Sequence, residues 1–282
     1  KIGLFARDES ELFAPVDLAS LRVAIAGITL LPISLFHVRR IPRDLWKWIA
    51  GVGIIGSFIP AMLFATAQLS LPSAMAGMLN ALSPLWTLLI GIGLFGVSIK
   101  RNQWFGILIG MLGTIWLILV QSGWQLQQET SIESVEQLFA IGLLVIATLC
   151  YGISVNITRE KLQTIPSRAI AACSLGLVAI PALAITLSSE VPTLIIEHPD
   201  GLRGFLAVFV LAAVGTAGAL VLFNHLIAWT NAVVAASVTY IIPLFAVLWG
   251  WLDGESLTFQ HLLAGSCILL GVWITHERKK ST

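Results

Sequence analysis

In "AGMLNALSPLWTLLIG", Ala76 to Gly91, an asparagine, a proline and a threonine interrupt an apolar run. Asn80, Pro84, Thr87 and Gly91 fall at i, i+4, i+7 and i+11, which lines them along one face of a helix. A proline removes one backbone hydrogen bond and frees a carbonyl. In hydrocarbon that is tolerated only where neighbours, side chains or cavity water satisfy the freed group. A second stretch, "AASVTYIIPLFAVLWG", Ala235 to Gly250, puts Thr239, Pro243, Ala246 and Gly250 on a matching face, with Tyr240 beside them. Two such faces offer neutral donors and acceptors together with a point of bending. That is the chemistry of opposite walls of a midplane solute cavity that opens to alternate sides. The competing reading is helix packing, for which small and polar residues also serve.

The elements that position these faces follow from composition. Of 282 residues, 57% are hydrophobic and 11% charged, with a mean hydropathy of +0.92; soluble domains carry about 25% charged residues, so the chain belongs in a lipid bilayer. A net charge of +1 offers no basic surface for nucleic acid. Runs near the roughly 20 residues that cross a hydrocarbon core number nine: Leu18 to His37, Trp46 to Gln68, Ser73 to Val97, Trp104 to Gln121, Leu138 to Thr158, Ile170 to Ser188, Phe205 to Trp229, Ala232 to Leu252 and Leu262 to Thr275. They lack the alternation of barrel strands, so each is expected to be helical. With alternate loops assigned to one side, twelve of the 16 Lys and Arg collect there, among them Arg39, Arg40, Arg43, Lys47, Arg168 and Arg278. Basic loops are retained in the cytoplasm, which predicts a cytoplasmic C-terminus.

The proline stretches match at one fixed offset of 159, pairing Ala76 with Ala235, Pro84 with Pro243, Leu89 with Leu248 and Gly91 with Gly250. The same offset pairs Gly56 with Gly215, Phe64 with Phe223 and Gly106 with Gly265, so the register holds across three helices. Five helices separate the copies. An odd number makes equivalent helices run in opposite directions, which predicts two inverted five-helix repeats, residues 1–136 and 137–282, in an all-α bundle of ten. Nine are visible, and the count places the tenth before Lys1.

Further polar and aromatic candidates sit on these helices. Ser57, Pro60, Phe64 and Gln68 follow helical spacing in the second segment, and Thr216, Phe223, Asn224 and His225 lie in its partner. Phe64 and Phe223 are repeat-equivalent aromatics that can stack on a planar or apolar group, or simply pack. His225 is a candidate for a proton or polar route, although its place near the predicted cytoplasmic end also suits an interfacial histidine. Tyr151 and Tyr240, the only tyrosines, can bond a solute or tie helices together. Arg22 lies near a helix start, where its head can reach the interface or a neighbouring carbonyl. Glycines in "GVGIIG", "GIGLFG" and "GILIGMLG" let helices approach closely. Cys150, Cys173 and Cys267 lack metal-type spacing and read as small hydrophobes. "NIT" at Asn156 matches a glycosylation acceptor but falls at the cytoplasmic boundary.

Several motifs carry a family resemblance. "LDGESLTFQHLLAGSCILLGVWI" has an acidic turn, a Gln, a Gly and a late Gly-Val, here Glu255, Gln260, Gly265 and Gly271-Val272; "LASLRVAIAG" holds Arg22 near the start of a second helix, and "KIGL" fits the end of a first. Across essentially the whole chain this resembles the EamA-type family of the drug/metabolite transporter superfamily. The resemblance implies a ten-helix secondary transporter or facilitator exporting small metabolites such as amino acids from the bacterial inner membrane. It gives Arg22 and Glu255 structural roles. In the first half Gly96 stands where Glu255 stands in the second, and "LFAIGLLVIATLCYGISVNIT" carries no membrane carboxylate, which argues against a carboxylate-driven exporter of cationic drugs. The neutral cavity candidates suit zwitterionic or uncharged solutes. No enzyme motif, cofactor site or metal site is present in the sequence, and the alternative class is a non-transporting polytopic protein, receptor-like or an assembly factor.

Overall fold

The computed structural model describes residues 12–96, 101–121, 132–229 and 258–275, together with Phe245, Leu248 and Leu252. Every regular element among the described residues is helical, as expected where the surroundings cannot accept backbone hydrogen bonds. The first segment forms α1 (Pro15–Thr29) and α2 (Leu31–Val38), bent by 57° at their junction. Pro15 and Pro32 lie in first turns, where a missing N–H has no intrahelical partner to lose. A 3₁₀ turn, Arg43–Leu45, leads into α3 (Trp46–Gly53), a π-helical stretch Ile54–Phe58 and α4 (Ile59–Ala67). The third segment is broken into α5 (Ser73–Asn80) and α6 (Ser83–Phe95). Then come α7 (Arg101–Gln121), α8 (Ile132–Lys161), α9 (Ser167–Ser188), α10 (Val191–Glu197) and α11 (Gly201–Val210). A second π-helical stretch, Leu211–Gly218, continues into α12 (Ala219–Trp229), and α13 spans Phe259–Thr275.

Five of these helical spans are long and apolar enough to cross a membrane, six if the bent pair α1–α2 counts as one. The fourth and ninth predicted segments correspond to α7 and α13, and the eighth lies outside the described residues except for Phe245, Leu248 and Leu252. Large apolar side chains are exposed where lipid would meet them, among them Leu35, Leu112, Ile180, Leu222 and Trp229. The chain divides into two compact units, one of residues 1–65 and 157–231, the other of residues 66–156 and 232–282. Each unit therefore draws on both halves of the sequence.

In the first unit the order of elements recurs near the 159-residue offset. The break after Thr29 is matched by the break after Ser188, and the π stretch at Ile54–Phe58 by that at Leu211–Gly218. Pro60 follows the first π stretch, where a wider turn spares its ring the carbonyl of Gly56. Ala219 follows the second, so proline is not what the two π stretches share.

α1 packs on α9. Ser20 Oγ lies 3.0 Å from Thr186 Oγ1, a Cβ on Gly27 would collide with Ala179 Cβ and the Leu175 carbonyl, and Ser34 Oγ lies 3.7 Å from Cys173 Sγ. As the number rises along one helix it falls along the other, so the two are antiparallel. At the offset of 159, Ser20 is the equivalent of Ala179 and Gly27 that of Thr186. The contacts Ser20 with Thr186 and Gly27 with Ala179 are thus exchanged by that offset.

In the second unit α7 packs on α13 through glycines. A Cβ on Gly113 would fall 2.8 Å from the Ile268 backbone nitrogen and 3.0 Å from the Ala264 carbonyl oxygen. One on Gly271 would fall 2.6 Å from the Gly106 carbonyl oxygen and overlap the Gly110 backbone. These two helices, also offset partners, are antiparallel by the same reasoning.

Candidate functional site

The quoted proline stretch does not form the single continuous face that its spacing suggests. α5 stops at Asn80, the chain makes two tight turns (Ala81 N–H to Met78 O, 3.1 Å; Leu82 N–H to Leu79 O, 3.0 Å), and α6 restarts at Ser83. Pro84 has no N–H for the Asn80 carbonyl. Ser83 supplies it instead, its hydroxyl donating to Asn80 O at 2.8 Å and lying 3.4 Å from Asn80 Oδ1. Pro84 is in the first turn of α6 and needs no bond there. The asparagine and proline therefore mark a break, and spacing alone could not separate a break from a bent helix.

Beyond the break, Pro84, Thr87 and Gly91 share the buried side of α6, while Asn80 is half-buried. The Thr87 hydroxyl donates to Ser83 O at 2.8 Å. α8 approaches closely at Gly152, where a Cβ would fall 2.9 Å from the Thr87 nitrogen and from Trp86 Cβ. One turn later the Asn156 side-chain amide donates to Thr87 O and Gly152 O, both at 2.8 Å. Asn156 is 1% exposed, so the residue of the glycosylation-like triplet is an interhelical lock. Its signal in the sequence was the Gly-x-x-x-Asn spacing on α8. Trp86, another residue the sequence reading passed over, has a buried Nε1–H without a hydrogen-bond partner among the described residues. α6 ends at Gly96 with φ +66°, a left-handed cap that favours glycine; this is a physical reason for Gly96 where the second repeat has Glu255.

In the first unit Phe64 on α4 and Phe223 on α12 are both half-buried. His225 is half-buried, its ring 5.4 Å from the exposed Trp229 ring. Asn224 is buried, its amide donating to Leu220 O at 2.9 Å. Arg22 is half-buried on α1, and its Nε is buried without a hydrogen-bond partner among the described residues. Tyr151 is half-buried on α8 in the second unit. Thr239, Tyr240, Pro243 and Glu255 lie outside the described residues. No cluster of metal-ligating side chains occurs among the described residues.

A helical, multi-spanning membrane protein with broken and π-bulged spans is the class these observations define. The EamA-like transporter family model matches residues 2–119 and 138–276. The chain belongs to that family and is a membrane transporter, seated in a lipid bilayer and acting on small solutes. It is 29% identical to the inner membrane transporter YedA of Escherichia coli K12, described as uncharacterized, over 93% of this chain and 81% of that one. The same protein from E. coli O157:H7 matches equally. A crystal structure described only as that of a protein is similar over 93% of this chain and 87% of the other, with a TM-score of 0.62 at 19% identity, a likeness of fold.

Proposed function

We propose that the chain is a ten-helix secondary transporter or facilitator built from two inverted repeats, residues 1–136 and 137–282, and that it exports small neutral or zwitterionic metabolites such as amino acids by alternating access. It sits in a bacterial inner membrane with its C-terminus in the cytoplasm. The antiparallel packing of two pairs of offset-related helices and the reciprocal contacts at Ser20–Thr186 and Gly27–Ala179 support inverted repeats. The observation that carries the solute reading is the break between α5 and α6. It gathers Asn80, Ser83, Thr87 and the indole N–H of Trp86, which has no partner among the described residues, on one short stretch with no charged side chain. Neutral donors and acceptors of that kind match an amide, carboxyl or amine group without requiring a charged solute.

The candidate substrate contacts are Asn80, Thr87, Phe64, Phe223, Thr239 and Tyr240, with Pro84 and Pro243 setting the bends, Tyr151 and His225 a polar route, and Arg22 and Glu255 in supporting roles. Paired π stretches fit moving spans, because such bulges weaken the regular ladder of a helix at one place. The test is solute counterflow by the full-length protein in proteoliposomes offered neutral amino acids and small metabolites. The expected result is uptake of a neutral amino acid that falls on Asn80→Ala or Thr239→Ala. No uptake of any neutral or zwitterionic solute by folded protein, or uptake confined to multiply charged ones, overturns the solute class.

A further inference from the structure

The geometry points to a binding site for an anionic phospholipid, distinct from the solute route, where α2 and the start of α9 meet. A cavity of about 330 Å³ is lined by His37, Arg40, Ile41, Thr164, Pro166 and Arg168. A groove of about 550 Å³ shares His37 and Arg168 with it and continues along Pro32, Ile33 and Phe36. The first space is cationic and the second apolar, so together they complement an amphiphile with an anionic head.

Local structure explains why the two lie side by side. The 57° bend at the α1–α2 junction redirects α2, leaving Leu31, Leu35, Phe36 and Val38 exposed along it. Arg40 folds back over the Phe36 ring, its guanidinium carbon 4.1 Å from the centroid, which holds a charge at the edge of the apolar groove. No ion pair joins Arg40 or Arg168 to a carboxylate among the described residues. His37 is buried, and its Nδ1–H donates to Ile33 O at 2.8 Å, fixing the ring against α2. The adjoining sequence "HVRRIPRDLWKW" carries four basic residues against one acid, Asp44. Basic pockets between membrane helices are suited to lipid phosphates. The joined apolar groove favours a lipid over a free anion, because a soluble phosphate would have no use for Phe36 and Ile33.

The experiment is native mass spectrometry of the full-length protein in detergent, titrated with phosphatidylglycerol, phosphatidylcholine or glycerol phosphate. Retention of phosphatidylglycerol over phosphatidylcholine is expected. Arg40→Gln or Arg168→Gln should weaken it about five-fold each and the pair on the order of 25-fold, at about one basic-residue contribution apiece. Phe36→Ala should also weaken it, and Arg203→Gln, in the first turn of α11, should not. All four positions are exposed, and a thermal melt checks that each variant is folded. Unchanged phosphatidylglycerol affinity in the folded double variant overturns the site. So does displacement of the lipid by millimolar glycerol phosphate, which would make the occupant a soluble anion.

Discussion

The α1/α9 and α7/α13 crossings each join helices related by the same offset, each antiparallel, yet they are held together differently. At α1/α9 hydroxyls take part: Ser20 and Thr186 meet at 3.0 Å beside the close approach at Gly27. At α7/α13 a Cβ on Gly113 would fall against the Ile268 nitrogen and the Ala264 carbonyl, and one on Gly271 against the Gly106 carbonyl and the Gly110 backbone. In lipid there is no hydrophobic drive to pair helices, so close packing and interhelical hydrogen bonds are the available sources of affinity. Among the described residues, an interhelical hydrogen bond is seen at the first crossing and close glycine packing at both. Gly271, whose Cβ would meet only backbone, is therefore the position at these crossings least able to accept added volume, and the hydroxyl pair is the less dependent on any one atom.

That difference sets the largest expected effect. Gly271→Leu drives a side chain into the backbone of Gly106 and Gly110, which cannot rotate away as a side chain would. Destabilisation of about 3 kcal/mol, the upper end for overpacking, should appear as a large drop in detergent melting temperature and in folded yield. By contrast Gly110→Ala meets the Leu85 side chain, which can shift, and should cost much less. Equal losses for the two would remove the distinction between backbone and side-chain contacts.

Next in size is Asn156→Leu, which deletes the bonds to Thr87 O and Gly152 O. Interhelical hydrogen bonds in membranes average roughly 0.6 kcal/mol and reach about 1.7, so a loss of about 1–2 kcal/mol is expected in reversible unfolding from mixed micelles. Asn156→Gln, too long for the site, should not restore it. Ser20→Ala should cost less, about 0.6 kcal/mol. The Ser20 hydroxyl also reaches Asp17 O at 2.8 Å and that of Thr186 reaches Ala182 O at 3.0 Å, so loss of Ser20 leaves Thr186 bonded within its own helix. A Ser20→Ala loss as large as that of Asn156→Leu would mean that the hydroxyl crossing has no such redundancy.

What could be read from sequence divides along the same physical line. Apolar runs and the close-packing glycines of "GILIGMLG" were legible, because they depend on composition and spacing. The break at Ala81–Leu82 was not, because Asn80 and Pro84 at i and i+4 are compatible with a bent helix as well as with two helices. Nor were the π stretches, which differ from α-helix by one residue per bulge and have no required residue type, as Pro60 and Ala219 illustrate. The glycosylation reading of Asn156 was set aside, but its interhelical role was not seen, because its spacing from Gly152 was not weighed. Of the site, Pro84 and Thr87 were found where the chain is buried, and Trp86 was missed because an indole in an apolar run carries no sign of whether its N–H is paired.

Trp86 supplies the smallest stability effect and the sharpest functional one. The Trp86 N–H has no partner among the described residues; a buried donor left so is a cost in the resting protein, and replacing it by an apolar group of similar shape is close to neutral or stabilising. Trp86→Phe should therefore leave the melting temperature unchanged or slightly raised, unlike Asn156→Leu one helix away, which removes bonds that are made. If the indole N–H is kept for a solute, the same variant should lose uptake in counterflow, with the loss in apparent affinity, since a donor to bound solute is what has gone. A stable variant with undiminished uptake would make Trp86 a packing residue and move the solute contacts to other positions. A variant that is both destabilised and inactive would show that the N–H is paired in the working protein, and that the two units differ less in their buried polar groups than their crossings do.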